Sequence, residues 1–369
     1  MSYGQSTEVR EGGRTATGLT AVLKERIVSG RIPAGDLLPS VRTLSEEQGL
    51  SCKTVHRALR LLAADGFVSA EPCRGYRVLA RANDPDRGCP IGYVLSAQMA
   101  GQEWTGFNRL LLTALQSAAA RRGWSMLGVG AKQIAAPQVI EQCRASRAWG
   151  VIVDVHSPQL VELARRAGLA AVMVDAWHPE ADCDAVLQDN AHGGMLAAGH
   201  LVAAGCRRVG WVGLVTESVH SMDRFSGASL ALRKAGLKLR EADIAEVPEE
   251  GTRAAVRKLL SRADRPDGLL ALWRGAALEA AAAAGELGLV IGRDLQLVGW
   301  CAEEQYAEGW LPHFAAGAAP PAVSWSIATL AEAAVARLAE RRANPGMPRL
   351  RLGVAPRLRL AAPAPTEGV

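Results

Sequence analysis

The sequence predicts an α/β protein in two parts: a small winged helix-turn-helix module, then a larger domain of parallel sheet covered by helices. Three observations carry this. Two short helical segments joined by a tight turn precede a hairpin near the start of the chain. From residue 90 onward, continuous apolar strand segments alternate with helical ones, which implies parallel sheets buried on both faces. The basic charge is also uneven. Between Arg14 and Arg81 eleven Lys/Arg stand against six Asp/Glu, while the chain as a whole carries a net charge of only +5.

The module is built in chain order. Leu19, Val22, Leu23, Ile27 and Val28 form a first helix that packs beneath the pair that follows. In Leu38-Pro39-Ser40-Val41-Arg42-Thr43-Leu44-Ser45, Ser40 can cap a second helix and Gly49 can supply the left-handed residue that ends it. Ser51 can cap the third, with Leu50 and Val55 as a hydrophobic staple. Along that third helix Val55, Ala58, Leu59 and Leu62 make one apolar stripe, and Lys53, His56, Arg57 and Arg60 repeat on the opposite side. A helix buried on one face and cationic on the other suits a DNA major groove, although a solvated surface helix can carry the same stripe. Phe67 to Ala70 and Tyr76 to Leu79 then read as a hairpin with Arg74 and Gly75 at its tip. There the glycine allows close backbone approach to a phosphate and the arginine brings charge.

This order, from Gly18 to Leu79, closely resembles the DNA-binding domain of the GntR family of bacterial repressors. The resemblance implies contacts to double-stranded DNA from Arg42, Ser51, Lys53, Thr54, His56, Arg57, Arg74 and Gly75. Cys52 and His56 stand where the family usually has arginine. Cys73-Arg74-Gly75-Tyr76-Arg77 replaces the family's Gly-x-Gly-Thr-Phe wing, so the operator does not transfer from better-known members.

In the second part, Ile91 to Leu95, Val151 to Asp154, Ala171 to Asp175, Ala185 to Leu187, Val209 to Gly213, Leu269 to Leu272 and Leu295 to Gly299 read as buried strands. Asn108 to Arg122, Gln159 to Ala167 and Asn190 to Ala204 read as helices between them. The alanine-rich run Ala276 to Ala284 has the helix propensity of a covering helix. Gln188-Asp189-Asn190-Ala191-His192-Gly193-Gly194, His200-Leu201 and Gly205-Cys206-Arg207-Arg208-Val209 strongly resemble the central signature of the LacI/GalR repressor regulatory domain. Met222 to Gly227, Pro266-Asp267-Gly268 and Pro320-Pro321 support it.

That likeness, from about Ile91 to Leu360, implies a periplasmic-binding-protein type I architecture of two Rossmann-like lobes. A small-molecule effector, sugar-like or anionic, would sit in the cleft. The implied organisation is a disordered start (1–15), the winged module (16–81), a linker (82–89), the effector-binding and dimerisation domain (90–362) and a tail (363–369). Lobe one would hold about 90–188 and 302–325, and lobe two about 189–300 and 326–362, with crossings near Gln188, Cys301 and Trp325. The resemblance further implies a homodimer on a palindromic operator.

For the effector, the resemblance points to Asp175, His220, Arg224, Trp273, Arg274 and Cys301, and the placing of the tryptophans adds Trp104. Arg224 matches the family's effector-contacting arginine. Trp273-Arg274 stands where the family shows Asn-Asp, and Cys301-Ala302 where it shows paired aspartates. Losing two carboxylates and setting Arg274 beside Arg224 favours an anionic or aromatic effector stacked on Trp273. The alternative is an Arg274 turned outward in a degenerate cleft. Nine tryptophans against four tyrosines and four phenylalanines supply further wall candidates: Trp177, Trp300 and Trp325 also fall near strand ends or crossings.

Other classes are poorly served. Seven scattered cysteines without a CxxC argue for reduced thiols and against zinc, with no cofactor or metal expected. A redox role for Cys52 and Cys73 remains open beside simple substitution at exposed sites. The start of the sequence has no secretion signal and no membrane span, so a cytoplasmic protein is expected. Asp154, His156 and Asp175 look like an acid–base cluster, but strand-end acids in such folds more often serve loop backbone or ligand. No Gly-rich phosphate loop is present, since Gly128-Val129-Gly130 lacks the third glycine. The expectation is a DNA-binding regulator, most simply a repressor, rather than an enzyme. The rivals are a solute-binding protein, a GntR-fused aminotransferase, and a factor that uses its second domain only as an oligomeric platform.

Overall fold

A computed structural model describes residues 15–33, 35–71, 74–79, 89–95, 106–130, 135–247, 251–315 and 317–360. The expected disordered start up to residue 14, the linker up to Gly88 and the tail lie outside them. The chain falls into two compact units, residues 1–90 with 119–125 and residues 91–118 with 126–369.

The first unit holds α1 (Ala16–Val28), α2 (Val41–Gln48), α3 (Cys52–Ala64) and the antiparallel hairpin β1 (Val68–Glu71) and β2 (Gly75–Val78). Its helix ends form where the side chains dictate. Ser40 Oγ accepts from the Thr43 N–H at 3.1 Å, and Ser51 Oγ from the Thr54 N–H at 3.2 Å. Gly49 ends α2 at φ +62°, a left-handed conformation that costs glycine nothing. Leu19, Leu23 and Ile27 of α1 meet Leu44, Val55, Leu59 and Leu62 in one core. The Thr20 hydroxyl ties α1 to the Ala58 carbonyl of α3.

From Pro90 onward strands and helices alternate: β3 (Pro90–Leu95), α4 (Gly106–Ala120), β4 (Ser125–Gly130), α5 (Ala136–Ala145), β5 (Gly150–Asp154), α6 (Pro158–Arg166), β6 (Ala170–Val174) and β7 (Asp184–Gln188). Then follow α7 (Asn190–Ala203), β8 (Val209–Val212), α8 (Val219–Lys234), β9 (Ile244–Ala245), α9 (Thr252–Leu260), β10 (Gly268–Ala271), α10 (Arg274–Glu286) and β11 (Gln296–Trp300). The chain continues with α11 (Glu303–Gly309), β12 (Ala322–Ser324), α12 (Ile327–Ala343), β13 (Arg351–Val354) and β14 (Arg357–Arg359). Two six-stranded sheets result, ordered β13-β7-β6-β5-β3-β4 and β14-β12-β11-β10-β8-β9. Every strand pairing described in them is parallel except β12 with β14. These are the two lobes, and both strand sets carry fully buried apolar runs.

The expected division of the lobes needs correction. The chain does not cross at Cys301. Residues 301–324 stay with the second sheet, because β12 pairs with β11 and the buried Trp310 seats its ring on Gly299. A Cβ on Gly299 would lie 2.2 Å from that ring. The crossing at Trp325 leads into lobe one, where α12 packs on β5, β6 and β7. The third crossing falls at Ala355-Pro356, so β13 belongs to lobe one and β14 to lobe two.

Helices α7 and α8 touch backbone to backbone. A Cβ on Gly194 would sit 2.1 Å from the Arg224 carbonyl, and one on Gly227 2.0 Å from the Ala191 carbonyl. Neither obstacle is a side chain that can swing aside. This contact brings Arg224 and His220 of α8 against Asn190 at the start of α7. Gly194→Ala or Gly227→Ala is expected to destabilise the second domain by about 1–3 kcal/mol through overpacking. Denaturant unfolding of the full chain measures it, and an unchanged midpoint would contradict the close approach.

Candidate functional site

The candidate sites lie in separate units. In the first, α3 is gripped from behind by the core, which leaves Ser51, Cys52, Lys53, His56, Arg57 and Arg60 exposed along its outer face. Thr54 is half-buried and shares its hydroxyl with Ser51 at 2.8 Å, so it supports the helix start as well as any contact. Arg42 is exposed on α2 beside Glu46, at 3.0 Å. Arg74 and Gly75 form the exposed turn of the hairpin, and Gly75 has φ +108°. Arg77, by contrast, is drawn back onto Glu71 and the Gly35 carbonyl. That ion pair holds the Glu71 carboxyl below its ordinary value. The wing therefore offers Arg74 as its cation and keeps Arg77 as a brace. Cys52 is an exposed thiol, and Cys73 lies outside the described residues.

In the second unit the effector candidates separate. Trp104 lies outside the described residues. Cys301 is buried, and burial pushes its thiol up to about 11. Arg274 reaches the Gly309 carbonyl at 2.8 Å. Asp175, His220, Arg224 and Trp273 do come together, joined by Trp300, one of the wall candidates, and by two residues not assigned to the effector from sequence, Gln188 and Asn190. The signature segment from Gln188 to Asn190 held the signal, and it serves the hinge.

Arg224 is 0% exposed. Its guanidinium lies 4.2 Å from the Trp273 ring centroid and 4.0 Å from that of Trp300. It donates to Asn190 Oδ1 at 2.8 Å, to Gln188 Oε1 at 2.9 Å and to the Leu272 carbonyl. Trp300 Nε1–H donates to the same Gln188 Oε1 at 2.8 Å, and Gln188 Nε2–H passes on to Asp175 Oδ1 at 3.2 Å. Asn190 Nδ2–H serves the Gln188 carbonyl and His220 Nδ1, each at 3.0 Å. That leaves His220 Nε2–H to donate to the Asp175 carbonyl at 2.8 Å. Asp175 adopts φ +45°, an unusual conformation for a residue with a side chain, which turns both its carbonyl and its carboxylate toward this network.

Burial dominates the electrostatics. It lowers Arg224 to about 9, against the opposing charge of Asp175. It depresses His220, with Arg224 adding to the effect. It raises Asp154 well above an ordinary carboxyl, and Asp175's charge raises it further. Asp154 is a buried acid held by Tyr93 Oη–H at 2.9 Å and by Asn108. His156 turns its Nδ1 to the backbone of Trp177 instead. The acid–base cluster that Asp154, His156 and Asp175 suggested is thus divided among separate partners.

The two arginines read from sequence as one anionic subsite have separate partners. Arg224 is spent on its own chain, one face of Trp273 is covered by that guanidinium, and Arg274 turns to Gly309. The two arginines do not form one presented charge. Among the described residues, no group of three or more His, Cys, Asp or Glu is placed to hold a metal ion. No described helix is long and apolar enough to cross a membrane.

Comparison with known proteins matches both units. Residues 15–78 fit the family of bacterial regulatory proteins of the gntR type, and residues 198–360 fit a periplasmic binding protein-like domain. The HTH-type transcriptional repressor PurR of Escherichia coli O1:K1 / APEC is 28% identical over 173 residues, covering 46% of this chain and 50% of that protein. The ribose operon repressor of Haemophilus influenzae is 32% identical over 143 residues, covering 38% of this chain and 42% of that protein. The chain spans about half the length of the curated relatives it matches. A regulatory protein of the LacI family from Chloroflexus aggregans superposes with a TM-score of 0.64 at 21% identity, over 74% of this chain and 97% of that one. That likeness concerns the fold.

The hinge network makes stability depend on pH. His220 is neutral in the fold and its pKa lies below the ordinary 6.5, so the unfolded chain takes up the proton first. The stability tied to neutral His220 is present above pH 6.5 and is lost as pH falls below it toward the depressed folded value. Unfolding of the wild type at pH 8 and pH 5.5 should show this loss. His220→Gln should start lower at pH 8 and change less between the two. Equal pH slopes in both proteins would count against the neutral, Nε2-protonated ring.

Proposed function

The chain joins a gntR-type helix-turn-helix domain to a periplasmic-binding-protein-like domain, and from this we propose a ligand-responsive transcriptional regulator, a repressor that binds a palindromic operator as a homodimer. A small-molecule effector between the lobes sets the affinity for DNA. One observation carries the reading: an exposed cationic face on a helix whose other face is locked in a core, in one chain with a two-lobed α/β domain. The matched relatives are repressors by name, and together they support repression over activation.

In the proposed complex α3 enters the major groove and the hairpin tip meets the backbone. The side chains of Arg57, Arg60 and Arg74 are exposed, and among the described residues none of their guanidinium groups is in an ion pair, although Arg74 lies close enough to help hold the Glu71 carboxyl down. Lys53 and His56, one turn apart near the start of α3, are placed to read base edges. The relatives' repression and any sugar they respond to belong to those proteins. For this chain, the enclosure of Arg224 favours an effector that does not depend on an arginine fork.

The test is a selection of duplex sites from random DNA by the full-length protein, followed by titrations in salt. A two-fold symmetric site is expected, with half-sites about 10 base pairs apart or a multiple of that. Arg74→Ala should weaken binding to all sequences and reduce the salt slope by about one, whereas Lys53→Ala or His56→Ala should change the selected sequence. Arg77→Ala should leave the salt slope nearly unchanged, because its charge is already matched by Glu71. Selection of no DNA at all, or an unchanged salt slope after Arg74→Ala, would refute the interface.

A further inference from the structure

Helix α8 belongs to lobe two, yet one face of it is bonded to lobe one and to the hinge. His220, Asp223 and Arg224 fall at i, i+3 and i+4 on that face. His220 Nε2–H donates to the Asp175 carbonyl at the end of β6, at 2.8 Å. Asp223 forms an ion pair with Arg351 of β13, whose guanidinium also lies 4.6 Å from the Trp177 ring centroid. Arg224 holds Gln188 at the first crossing, and Gln188 holds the Asp175 carboxylate. Among the described residues, the side chains of His220, Asp223, Arg224 and Gln188 each have a partner within this set.

We propose that this face of α8 is a built-in latch, which holds the two lobes together without a ligand, so that an effector acts against the latch. The inference deepens the regulator reading and rests on it. A ligand shifts an equilibrium only through its differential affinity for the two states. Where a cleft closes around a ligand, the ligand supplies the bonds between lobes. Here α8 supplies them, so a molecule entering between Asp175, Trp177 and α8 competes with contacts already made. It gains most from the separated lobes, which the α8 contacts oppose. One of the three contacts is peripheral enough to exchange: Arg351 and Asp223 are 40% and 30% exposed in their side chains. Arg224 is sealed and serves as the pivot.

Charge exchange tests the latch in the full-length protein with no added small molecule. Asp223→Arg and Arg351→Asp each set like charges face to face, and together they restore an opposite pair. Hydrogen exchange is read at residues 175–177 and 219–224, and affinity for the duplex selected by the wild type is read by fluorescence anisotropy. Each single variant should exchange about tenfold faster at both segments and change DNA affinity by about tenfold, while the double variant returns both to within about threefold of wild type. Asp223→Ala, a gentler change, should move both readouts in the same direction by less. Unchanged exchange in the single variants, a double variant that restores nothing, or DNA affinity indifferent to all four would overturn the latch. A wild type that selects no DNA would instead overturn the regulator reading, whatever the exchange data show.

Discussion

A guanidinium sealed between two indole rings at the hinge is the interaction on which the second domain depends. Burying an unpaired cation is costly, and among the described residues no carboxylate forms an ion pair with Arg224. Its charge is met by three neutral acceptors and by the faces of Trp273 and Trp300. Desolvated cation–π contacts are worth up to about 2 kcal/mol each, and hydrogen bonds from a charged donor about 1.5–3 kcal/mol each. The nearest counter-charge, Asp175, acts at one remove through Gln188. Since Trp273, Trp300 and the Gln188–Asn190 segment come from three places in the chain, the arginine fixes the ends of β7, β10 and β11 and the start of α7 together. The glycines at 194 and 227 are what let α8 come close enough to put it there.

The two units treat charge in opposite ways. On α3 and the hairpin tip, cations are held out on a rigid surface with few partners. In the second domain they are absorbed. Arg208 and Arg262 share Asp243, and Arg337 and Arg341 share Asp184. Burial opposes ionisation of Asp184, yet the two arginines and the Leu350 N–H still hold its carboxyl below the ordinary value. The excess basic charge seen near the start of the sequence is therefore the charge that remains available for phosphate. The larger domain is rich in arginine too, but its acids nearly match its bases in number, and several of them sit in ion pairs with those arginines.

Much of this was legible in the sequence, for local reasons. Ser40, Gly49 and Ser51 mark helix ends through short-range bonds that need no tertiary context, and they sit where the cap chemistry puts them. The buried strands announce themselves as unbroken apolar runs. The third crossing did not. β13 and β14 are short strands with alternating partial exposure, separated only by Ala355-Pro356, so no apolar run marks them. The crossing near Cys301 was implied by the resemblance, and no local signal at that residue marks one. What decides its place is Trp310, nine residues on, which anchors that segment to lobe two. The site was half legible for a similar reason. Asp175, His220, Arg224 and Trp273 do meet, but whether an arginine faces a ligand or its own chain depends on Gln188 and Trp300, which lie far away in sequence.

Asp175 shows how the domain spends local strain on a long-range link. A non-glycine residue at φ +45° costs of order 1–3 kcal/mol, and glycine there would relieve it. Glycine would keep the carbonyl that His220 uses and lose the carboxylate that Gln188 uses. Arg224 would then be a buried cation with its nearest negative charge removed, so the strain at one turn of lobe one is the cost of compensating a charge in lobe two. The same residue raises Asp154 and opposes the depression of His220. One carboxylate thus biases groups on both sides of the hinge, with burial the larger cause at each, and any event that draws Asp175 away from Gln188 must be felt by α8.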